Sequence, residues 1–306
     1  ICCKIQELFV LSLLLMKNNN LVTIVFVTYH SHKHVYRLCK SLGAKFNIII
    51  IENSLDKNLK SKIENKYKNT KVIVPNKNLG IAAGYNIGIK KSKTKYIYLN
   101  CPDMNITNNS INQLIRCAEK LKNFGLIAPN YKNTSKFNNY VGSKKEINKK
   151  NKLHHFYKLS EVSLIDNSFF LKTSKAKKYL FDENFFLYFE VTDFCQRIKR
   201  NKEKIYISNK IKFDHFGSDS VSTKYSLISQ LTKSWHYNWG KFYFYKKHHN
   251  YIYALNKIIP NIISSLKKLI VSLLFFRFKE SYVCLIELFG IFSSIFFLKS
   301  FYRPKK

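Results

Sequence analysis

Four short apolar runs, each followed by a helical pattern, constrain the fold of this chain more than any other feature. Residues 21–29 (LVTIVFVTY), 46–51, 72–74 and 96–99 are rich in β-branched and aromatic side chains, as buried strands are. The segments between them carry apolar residues at helical spacing. Because strands that alternate with helices pair in parallel, the sequence predicts an α/β fold whose mainly parallel sheet is flanked by helices.

Polar residues follow the carboxyl ends of these predicted strands, where ligands bind in open α/β sheets. Tyr29, Glu52 and Asp103 come at or just after three strand ends, and residues 76–88 (NKNLGIAAGYNIG) follow the fourth. The three glycines of that segment allow a close approach to the backbone, and helix N-terminal amides suit phosphate. Their spacing matches neither the dinucleotide fingerprint nor the P-loop. Four loops are therefore predicted to form one site.

Two residues at strand ends each have two interpretations. Asp103 follows a strand and a proline, where a carboxylate can hold a divalent cation that bridges a diphosphate. The alternative is an aspartate that caps a turn. His215 ends a later predicted strand, where it is either a metal or phosphate contact or a buried core histidine.

Residues 185–197 (FFLYFEVTDFCQR) set two carboxylates among aromatic and apolar side chains. A helix that begins near Val191 places Glu190, Asp193 and Arg197 on one face. Carboxylates beside a guanidinium suit a catalytic acid/base site. The alternative is an ordinary i,i+4 ion pair between Asp193 and Arg197 at a helix start.

The middle of the chain gives weaker patterns. Residues 104–125 predict one helix, and residues 130–152 predict a polar, mobile loop with a lysine run. Residues 162–171 resemble a strand that the polar residues 166–168 interrupt, and these would face a cavity if buried. Residues 204–213 predict a pair of short strands.

Charge and cysteine content restrict the partners and the compartment. The chain has 53 Lys and Arg against 18 Asp and Glu, a formal net charge of +35, which predicts anionic partners such as nucleic acid, nucleotide diphosphates or an acidic membrane surface. No RNA-recognition, helix-turn-helix or zinc signature is present, so we expect no nucleic acid as partner. The seven cysteines show neither a metal spacing nor a paired framework, which predicts a reducing compartment.

The composition predicts three regions along the chain. Residues 1–15 precede Met16 and are interpreted as an upstream extension, with a short signal-anchor as the alternative. Residues 16–230 form the predicted α/β domain. Residues 231–306 are basic, aromatic and helical, and their two apolar runs are short for a membrane span, so we expect an amphipathic arrangement at a membrane surface. A soluble helical hairpin is the alternative.

Six motifs in order are similar to those of one enzyme family. Over roughly residues 21–225 the chain resembles the family-two inverting glycosyltransferases of the GT-A fold, in particular the rhamnosyltransferase-like enzymes of bacterial surface polysaccharide assembly. The motifs are residues 27–29 (VTY), the acidic loop at Glu52, residues 78–88 (NLGIAAGYNIG), residues 102–103 (PD), residues 181–197, and His215 with Ser218.

The resemblance implies a nucleotide-diphosphate-sugar donor and a divalent cation, Mg or Mn. Asp103 would be the metal-binding carboxylate, with His215 as a second metal or phosphate contact. The residues assigned to the donor are Thr28, Tyr29, Glu52, Asn53, Asn78, Gly80, Gly84, Asn86 and Asp103. The residues assigned to the acceptor or to orientation of the base are Asp166, Asn167 and Arg197.

Val191 departs from the family pattern, because relatives often carry Glu-Asp-x-Asp there, with the first Asp a candidate general base. Valine cannot accept a proton. The base is then Glu190 or Asp193, and the sequence favours Asp193 because Arg197 could orient it. A catalytically silent relative is the alternative, and a basic nucleic-acid-binding protein is a more remote one.

The mechanism that the resemblance implies is direct displacement at the anomeric carbon, with inversion, while a carboxylate takes the proton of the acceptor hydroxyl. The predicted acceptor is a lipid-linked or growing saccharide of lipopolysaccharide O-antigen or capsule synthesis. The predicted location is cytoplasmic, peripherally associated with an anionic membrane surface on the inner face of the cell membrane.

Overall fold

A computed structural model describes residues 21–132, 139–146, 152–215 and 226–303. The chain divides into two compact units. Unit 1 comprises the described residues within 1–79, 84–181 and 194–220, and unit 2 comprises those within 80–83, 182–193 and 221–306. The upstream extension predicted for residues 1–15 lies outside the described residues.

The first half of unit 1 has the alternating order that the sequence predicts. Its strands are β1 (Val22–Thr28), β2 (Asn47–Glu52), β3 (Thr70–Ile73) and β4 (Tyr96–Asn100). The helices that alternate with them are α1 (His32–Leu42), α2 (Lys57–Lys66) and α3 (Gly80–Lys91). Strand β1 pairs in parallel with both β2 and β4, and β2 pairs in parallel with β3. Every residue of β1 is buried, as expected of a central parallel strand covered on both faces.

The remaining elements of this part of the chain complete a mixed sheet. They are β5 (Met104–Asn105), α4 (Asn108–Leu121), β6 (Leu126–Tyr131), β7 (Tyr140–Glu146), α5 (Lys152–Tyr157), β8 (Leu159–Ile165), β9 (Phe169–Lys172), α6 (Thr173–Tyr179), α7 (Glu190–Arg200) and β10 (Ile205–His215). The order of the strands is β3-β2-β1-β4-β9-β6-β10-β8-β7, and β5 pairs with the end of β10. Strand β9 runs antiparallel to both β4 and β6. The fold is therefore α/β, with a mixed sheet flanked by helices, as predicted.

The core of unit 1 forms where apolar helix faces cover the sheet. Leu38 and Leu42 of α1 and Leu114 of α4 are at most 1% exposed and belong to one cluster with Phe26 of β1 and Tyr98 of β4. Each such side chain contributes roughly 1.5–3 kcal/mol when it leaves water. This core fixes the strand ends that carry the candidate site.

Three predictions for the middle of the chain are wrong. Residues 104–105 form strand β5 rather than the start of a helix, because they pair with the end of β10. Residues 140–146 of the predicted mobile loop form β7, which pairs antiparallel with β8. Its lysines hide the strand pattern, although charged side chains are common on sheet edges. Residues 205–215 form one long strand with an irregularity between Ser208 and Lys212, not two short strands.

Unit 2 consists largely of three helices, α8 (Ser226–His248), α9 (Tyr251–Leu274) and α10 (Phe278–Ile295). Phe242, Ala254, Ile258 and Ile291 are fully buried where these helices pack together. Residues 182–193 belong to the same unit. Among the described residues, none of the helices combines the length and the apolar character that crossing a membrane requires.

Candidate functional site

The ends of β1 and β2 hold a buried carboxylate. Glu52 has no exposed surface, and its Oε2 accepts a hydrogen bond from the Thr28 hydroxyl at 2.7 Å. Its Oε1 accepts from the backbone amide of Ser54 at 2.7 Å and from the Ser54 hydroxyl. Three neutral donors therefore compensate the desolvation of this charge. The position agrees with the sequence prediction, and the contacts show that Glu52 shapes the loop after β2.

The neighbouring polar residues tie this loop to the segment before α3. The Asn53 amide donates to the carbonyl of Thr28 at 2.8 Å, and Asn53 Oδ1 accepts from the amide of Leu79 at 3.3 Å. Tyr29 and Asn78 are each partly exposed. The two partly exposed residues are thus the members of this group with side-chain surface for a ligand.

The glycines after β3 are surrounded by protein. Gly80 has a φ of +79°, and a β-carbon there would collide with the carbonyl oxygen of Phe186. The amide of Ile81 donates to that same carbonyl at 2.8 Å. At Gly84 a β-carbon would lie 2.9 Å from the methyl groups of Val27. The space beside both glycines is filled by residues of the same unit, and a close approach of a ligand to their backbone stays a prediction.

Asn86 also contacts the backbone. Its Nδ2 donates to the carbonyl of Phe181 at 2.9 Å, and its Oδ1 accepts from the amide of Phe181 at 2.8 Å. The side chain is 2% exposed. These two hydrogen bonds fix the backbone of Phe181. A contact between Asn86 and a donor stays a prediction.

The backbone pairing of β5 with β10 sets His215 opposite Met104, the residue that follows Asp103. Asp103 is 9% exposed and directly precedes β5, and β5 pairs Met104 with His215. Asp103 also acts on Arg37, since burial lowers the pKa of that guanidinium and the Asp103 charge partly opposes the shift. The pairing of β5 with β10, which sequence reasoning missed, is what brings the two predicted metal residues together along the backbone.

Residues 166–168 sit on a buried hydrogen-bond network. Asn139 is fully buried, and its Nδ2 donates to the carbonyl of Ser168 at 2.8 Å while its Oδ1 accepts from the amide of Asn167 at 3.1 Å. The Ser168 hydroxyl donates to Asn100 Oδ1 at 2.5 Å, at the end of β4. Asp166 is exposed and Asn167 is partly exposed. The turn thus presents a carboxylate and an amide from a fixed base.

Unit 2 contains a cluster of two carboxylates, one lysine and one histidine. Lys247 Nζ lies 2.6 Å from Asp182 Oδ2 and 2.7 Å from Asp193 Oδ1. His248 Nε2 lies 2.8 Å from the same Asp193 oxygen, and neither of these two side chains has exposed surface. The Tyr243 hydroxyl donates to Asp182 Oδ2 at 3.0 Å. We call Asp182, Asp193, Lys247 and His248 the charge cluster.

The contacts in and around the charge cluster change the pKa of Asp182 and of the neighbouring Tyr243. Burial alone would raise the pKa of Asp182, but the hydrogen bond and the charge of Lys247 outweigh it, so the pKa lies below its ordinary value. Tyr243 shows the opposite effect, because burial and the neighbouring carboxylate raise the pKa of its phenol. An anionic Asp182 beside a cationic Lys247 is therefore the favoured state.

The second predicted base lies at the first position of α7. Glu190 is 7% exposed, whereas Asp193 is 0% exposed. Burial and the charge of Glu190 raise the pKa of Tyr188 to about 12. Val191, where relatives often carry an acid, is buried at 6% exposure. Both carboxylates are therefore largely buried, and Glu190 is the one that retains a small exposed fraction.

Arg197 holds the preceding turn. It donates to the backbone carbonyls of Tyr179 and Leu180, the latter at 2.6 Å, and its guanidinium lies 5.5 Å from the ring centroid of Phe194. These contacts fix α7 against the end of α6. A role of Arg197 in orienting a base stays a prediction.

Two further contacts within unit 2 hold the loop before α7. The ring of Phe186 lies 4.6 Å from that of His236, and the guanidinium of Arg303 lies 3.5 Å from the Phe186 centroid. His236 Nε2 is 2.9 Å from the carbonyl oxygen of Tyr302. Burial, followed by the Arg303 charge, lowers the pKa of His236 to about 3, so this imidazole is neutral.

Sequence reasoning missed the partners of Asp193. Lys247 and His248 end α8, and the run of lysines and histidines at residues 246–249 could be recognised only as a basic helix end. Such an end favours cations because of the helix dipole. Nothing in that run names a buried carboxylate as its partner.

The donor set at Asp103 fits a hard divalent cation. Carboxylate oxygen and imidazole nitrogen are both ligands of Mn, and carboxylate oxygen suits Mg. Within the described residues no three His, Cys, Asp or Glu side chains gather into a metal-binding group. Asp103 alone would therefore leave most of the coordination to other ligands, and His215 as a second metal contact stays a prediction.

Comparison with known proteins gives one family and a shared fold. The family model described as "Glycosyl transferase family 2" matches residues 23–198. The structure of GalNAc-T7 with UDP, GalNAc and Mn2+ is 13% identical, with a TM-score of 0.50, and the match covers 65% of this chain and 43% of that one. The structure of S. aureus TarS 1-349 is 14% identical, with a TM-score of 0.50, and the match covers 90% of both chains. No curated protein matches the chain in sequence.

Proposed function

This chain belongs to glycosyl transferase family 2, and we propose that it transfers a sugar from a nucleotide-diphosphate sugar, with inversion, to a saccharide acceptor. The observation that carries the proposal is the edge of the sheet in unit 1. There Tyr29 and Asn78 are partly exposed beside loops that Glu52 and Asn53 fix, and Asp103, which is 9% exposed, follows β4. Polar residues at the carboxyl ends of strands are where such folds bind nucleotides.

The donor is held by this edge in the proposal. Asp103 and His215 are the residues that would hold Mg or Mn, and the cation would supply neutralisation of the leaving diphosphate. GalNAc-T7, which shares the fold, was solved with UDP and Mn2+. Tyr29 would contact the nucleobase and Asn78 the ribose or diphosphate. Asp166 and Asn167 would contact the acceptor.

Glu190 is the proposed general base, in place of the Asp193 that the sequence favoured. Asp193 is fully buried, and its Oδ1 lies 2.7 Å from Lys247 Nζ and 2.8 Å from His248 Nε2, so an acceptor hydroxyl has no access to it. Asp193 and Lys247 are instead positioning residues, which hold the helix start that carries Glu190.

The test begins with a thermal-shift panel of UDP-, dTDP- and GDP-sugars with Mn2+, followed by turnover of the best donor. We expect Glu190→Gln to lower kcat by about 10²- to 10⁴-fold at nearly unchanged donor KM, the usual contribution of a general base. Asp103→Asn should abolish the metal-dependent shift. Asp214→Asn, which removes a surface carboxylate paired with Lys132, is the matched control.

A catalytically silent relative is the competing function, and Val191 favours it. The same panel separates the two. Donor binding without release of nucleotide diphosphate, in the presence of any tested acceptor, would contradict the enzyme and support a binding protein. Near-normal turnover of Glu190→Gln with saturating donor would contradict the assignment of the base alone.

The proposal also specifies the transferred sugar, the acceptor and the cellular location. A deoxyhexose such as rhamnose is the proposed sugar, and a lipid-linked saccharide of lipopolysaccharide O-antigen or capsule synthesis is the proposed acceptor. The proposed site of action is the inner face of the cell membrane. The net charge of +35 and the exposed apolar side chains of α9 and α10 support an anionic membrane partner.

A further inference from the structure

Residues 263–282, the part of the α9–α10 hairpin nearest its turn, have the opposite distribution of side chains from a water-soluble helix pair. Small polar residues are buried between the two helices: Ser265, Ser272 and Ser281 are 3–4% exposed. The Ser272 and Ser281 hydroxyls lie 2.8 Å apart, and the Ser265 hydroxyl donates to Glu287 Oε2 at 2.7 Å. Small residues and hydroxyls between helices are typical of helix pairs packed in lipid.

Large apolar side chains of the same helices face outward. Ile263, Ile270 and Tyr282 are 48%, 59% and 49% exposed. Soluble proteins rarely leave contiguous apolar surface of this extent in water. In this part of the hairpin the outward side chains are large and apolar, and the buried side chains are small and polar. We therefore expect an apolar environment around it.

The most exposed part of the hairpin is its turn, residues 273–278 (LLFFRF), which we call the hairpin tip. Leu274, Phe275, Phe276 and Phe278 are 69%, 67%, 77% and 68% exposed. Phe276 has a φ of +53°, where glycine or asparagine is the ordinary choice after a helix. A bulky aromatic residue in this conformation stabilises neither the turn nor the core.

Cationic side chains flank the tip. Arg277 lies within it, 3.6 Å from Glu280, and Lys279 follows it. Lys267 and Lys268 are exposed about two turns before the end of α9. Long cationic side chains can extend to phosphate headgroups while their neighbours enter the acyl region. The charge pattern fits anionic lipid and would oppose burial against a second copy of so basic a chain.

We propose that the hairpin tip inserts into an anionic lipid surface, and that α9 and α10 are anchored there without crossing it. The depth expected of such an interfacial segment is about 5–10 Å. The inference rests on the proposed membrane-side function and adds its physical basis: insertion of Leu274, Phe275, Phe276 and Phe278, with Arg277 and Lys279 at the headgroups.

The first experiment measures binding of the full chain to phosphatidylcholine/phosphatidylglycerol vesicles. We expect Phe275→Ser/Phe276→Ser to lower the partition coefficient by about tenfold or more, because two exposed aromatic side chains no longer leave water on binding. Ile252→Ser removes a side chain that is 71% exposed at the far end of α9 and serves as the control. Equal loss in both variants, or in neither, overturns the proposal.

The second experiment reports depth. A Phe276→Trp chain should be quenched by lipids brominated near the headgroup end of the acyl chains, while Phe156→Trp, at an exposed position of unit 1, should not exceed the parent chain. Sedimentation of the tip variant tests whether a second copy of the chain covers the tip instead. Loss of self-association with unchanged vesicle binding would assign the tip to a dimer and contradict the proposal. Donor turnover without vesicles should be unchanged in the tip variant, so failure of insertion and failure of the enzyme assignment are distinguishable.

Discussion

Units 1 and 2 each bury a carboxylate, and they compensate its charge in different ways. Glu52 receives hydrogen bonds from two hydroxyls and one backbone amide, all neutral and all from β1 or the loop after β2. Asp193 receives an ammonium and an imidazole from the end of α8. The neutral donors come from the adjacent strand and from the loop itself, and they fix a local loop. A cation from a distant helix joins separate segments of unit 2, so its removal should cost more.

The largest expected loss of stability comes from removing the cation that compensates Asp193. Lys247→Met leaves Asp182 and Asp193 without their shared cation, and Asp193 has no exposed surface. Loss of one partner of a buried ion pair costs about 3–5 kcal/mol, which urea unfolding would measure. Lys267→Met, at an exposed position of α9, should change the free energy of unfolding by less than about 0.5 kcal/mol. Equal values for the two variants would contradict the role of the charge cluster.

The second prediction compares a crowded and an open glycine. Gly80 and Gly43 have φ values of +79° and +58°, but only Gly80 has a neighbour, Phe186, where a β-carbon would go. Both Ala variants carry a backbone cost of about 1–3 kcal/mol for a non-glycine residue in a sparsely populated conformation. Gly80→Ala should add a steric term of about 1–3 kcal/mol. Unfolding midpoints of the two variants measure the difference, and the reverse order would exclude the packing of Phe186 on Gly80.

The third prediction breaks the neutral half of the comparison. Thr28→Val removes the hydroxyl that donates to Glu52 Oε2 and keeps the shape of the side chain. The free energy of unfolding should fall by about 1–3 kcal/mol, less than for Lys247→Met, because two donors to Glu52 remain. Thr232→Val, which removes a hydroxyl bonded to the helix carbonyl of Ile228, is the control. A loss as large as that of Lys247→Met would remove the distinction between the two compensations.

The smallest expected effect is a pH dependence in acid. The pKa of Asp182 is lower in the folded chain than its ordinary value, so its contribution to stability is complete above about pH 4 and is lost as the pH falls through the lowered value. Thermal unfolding of Asp182→Asn between pH 6 and pH 3 should therefore fall less steeply than that of the parent chain. Parallel curves would show that Asp182 titrates normally.

Local pattern was sufficient to predict the alternating half of unit 1. Strands β1 to β4 and the polar residues at their ends follow from apolar runs and from the rule for parallel sheets. Strand β7 was missed because its lysines break the apolar alternation of an edge strand. Alternation of apolar and polar residues identifies a strand only when one of its faces is buried. An edge strand with several charged residues lacks that alternation.

The candidate site was only partly predictable, because its supporting contacts span long separations. Asp193 and His248 are 55 positions apart, and Asn86 and Phe181 are 95 apart. The sequence analysis assigned Asn86 to donor binding and Asp193 to catalysis because amides and carboxylates often have these roles. The structure shows that Asn86 clamps the backbone of Phe181 and that Asp193 pairs with Lys247, assignments that only tertiary packing determines.

The contacts of Tyr302 and Arg303 have a consequence for biosynthesis. The loop that holds Phe186 packs on His236 and Arg303, and His236 packs on Tyr302. A ribosome that adds about 5–20 residues per second makes Phe186 many seconds before Arg303. The loop that carries Phe186 therefore reaches its final packing only after His236 and Arg303 have been made, so a nascent chain carries the strands of the sheet before this loop is held in place.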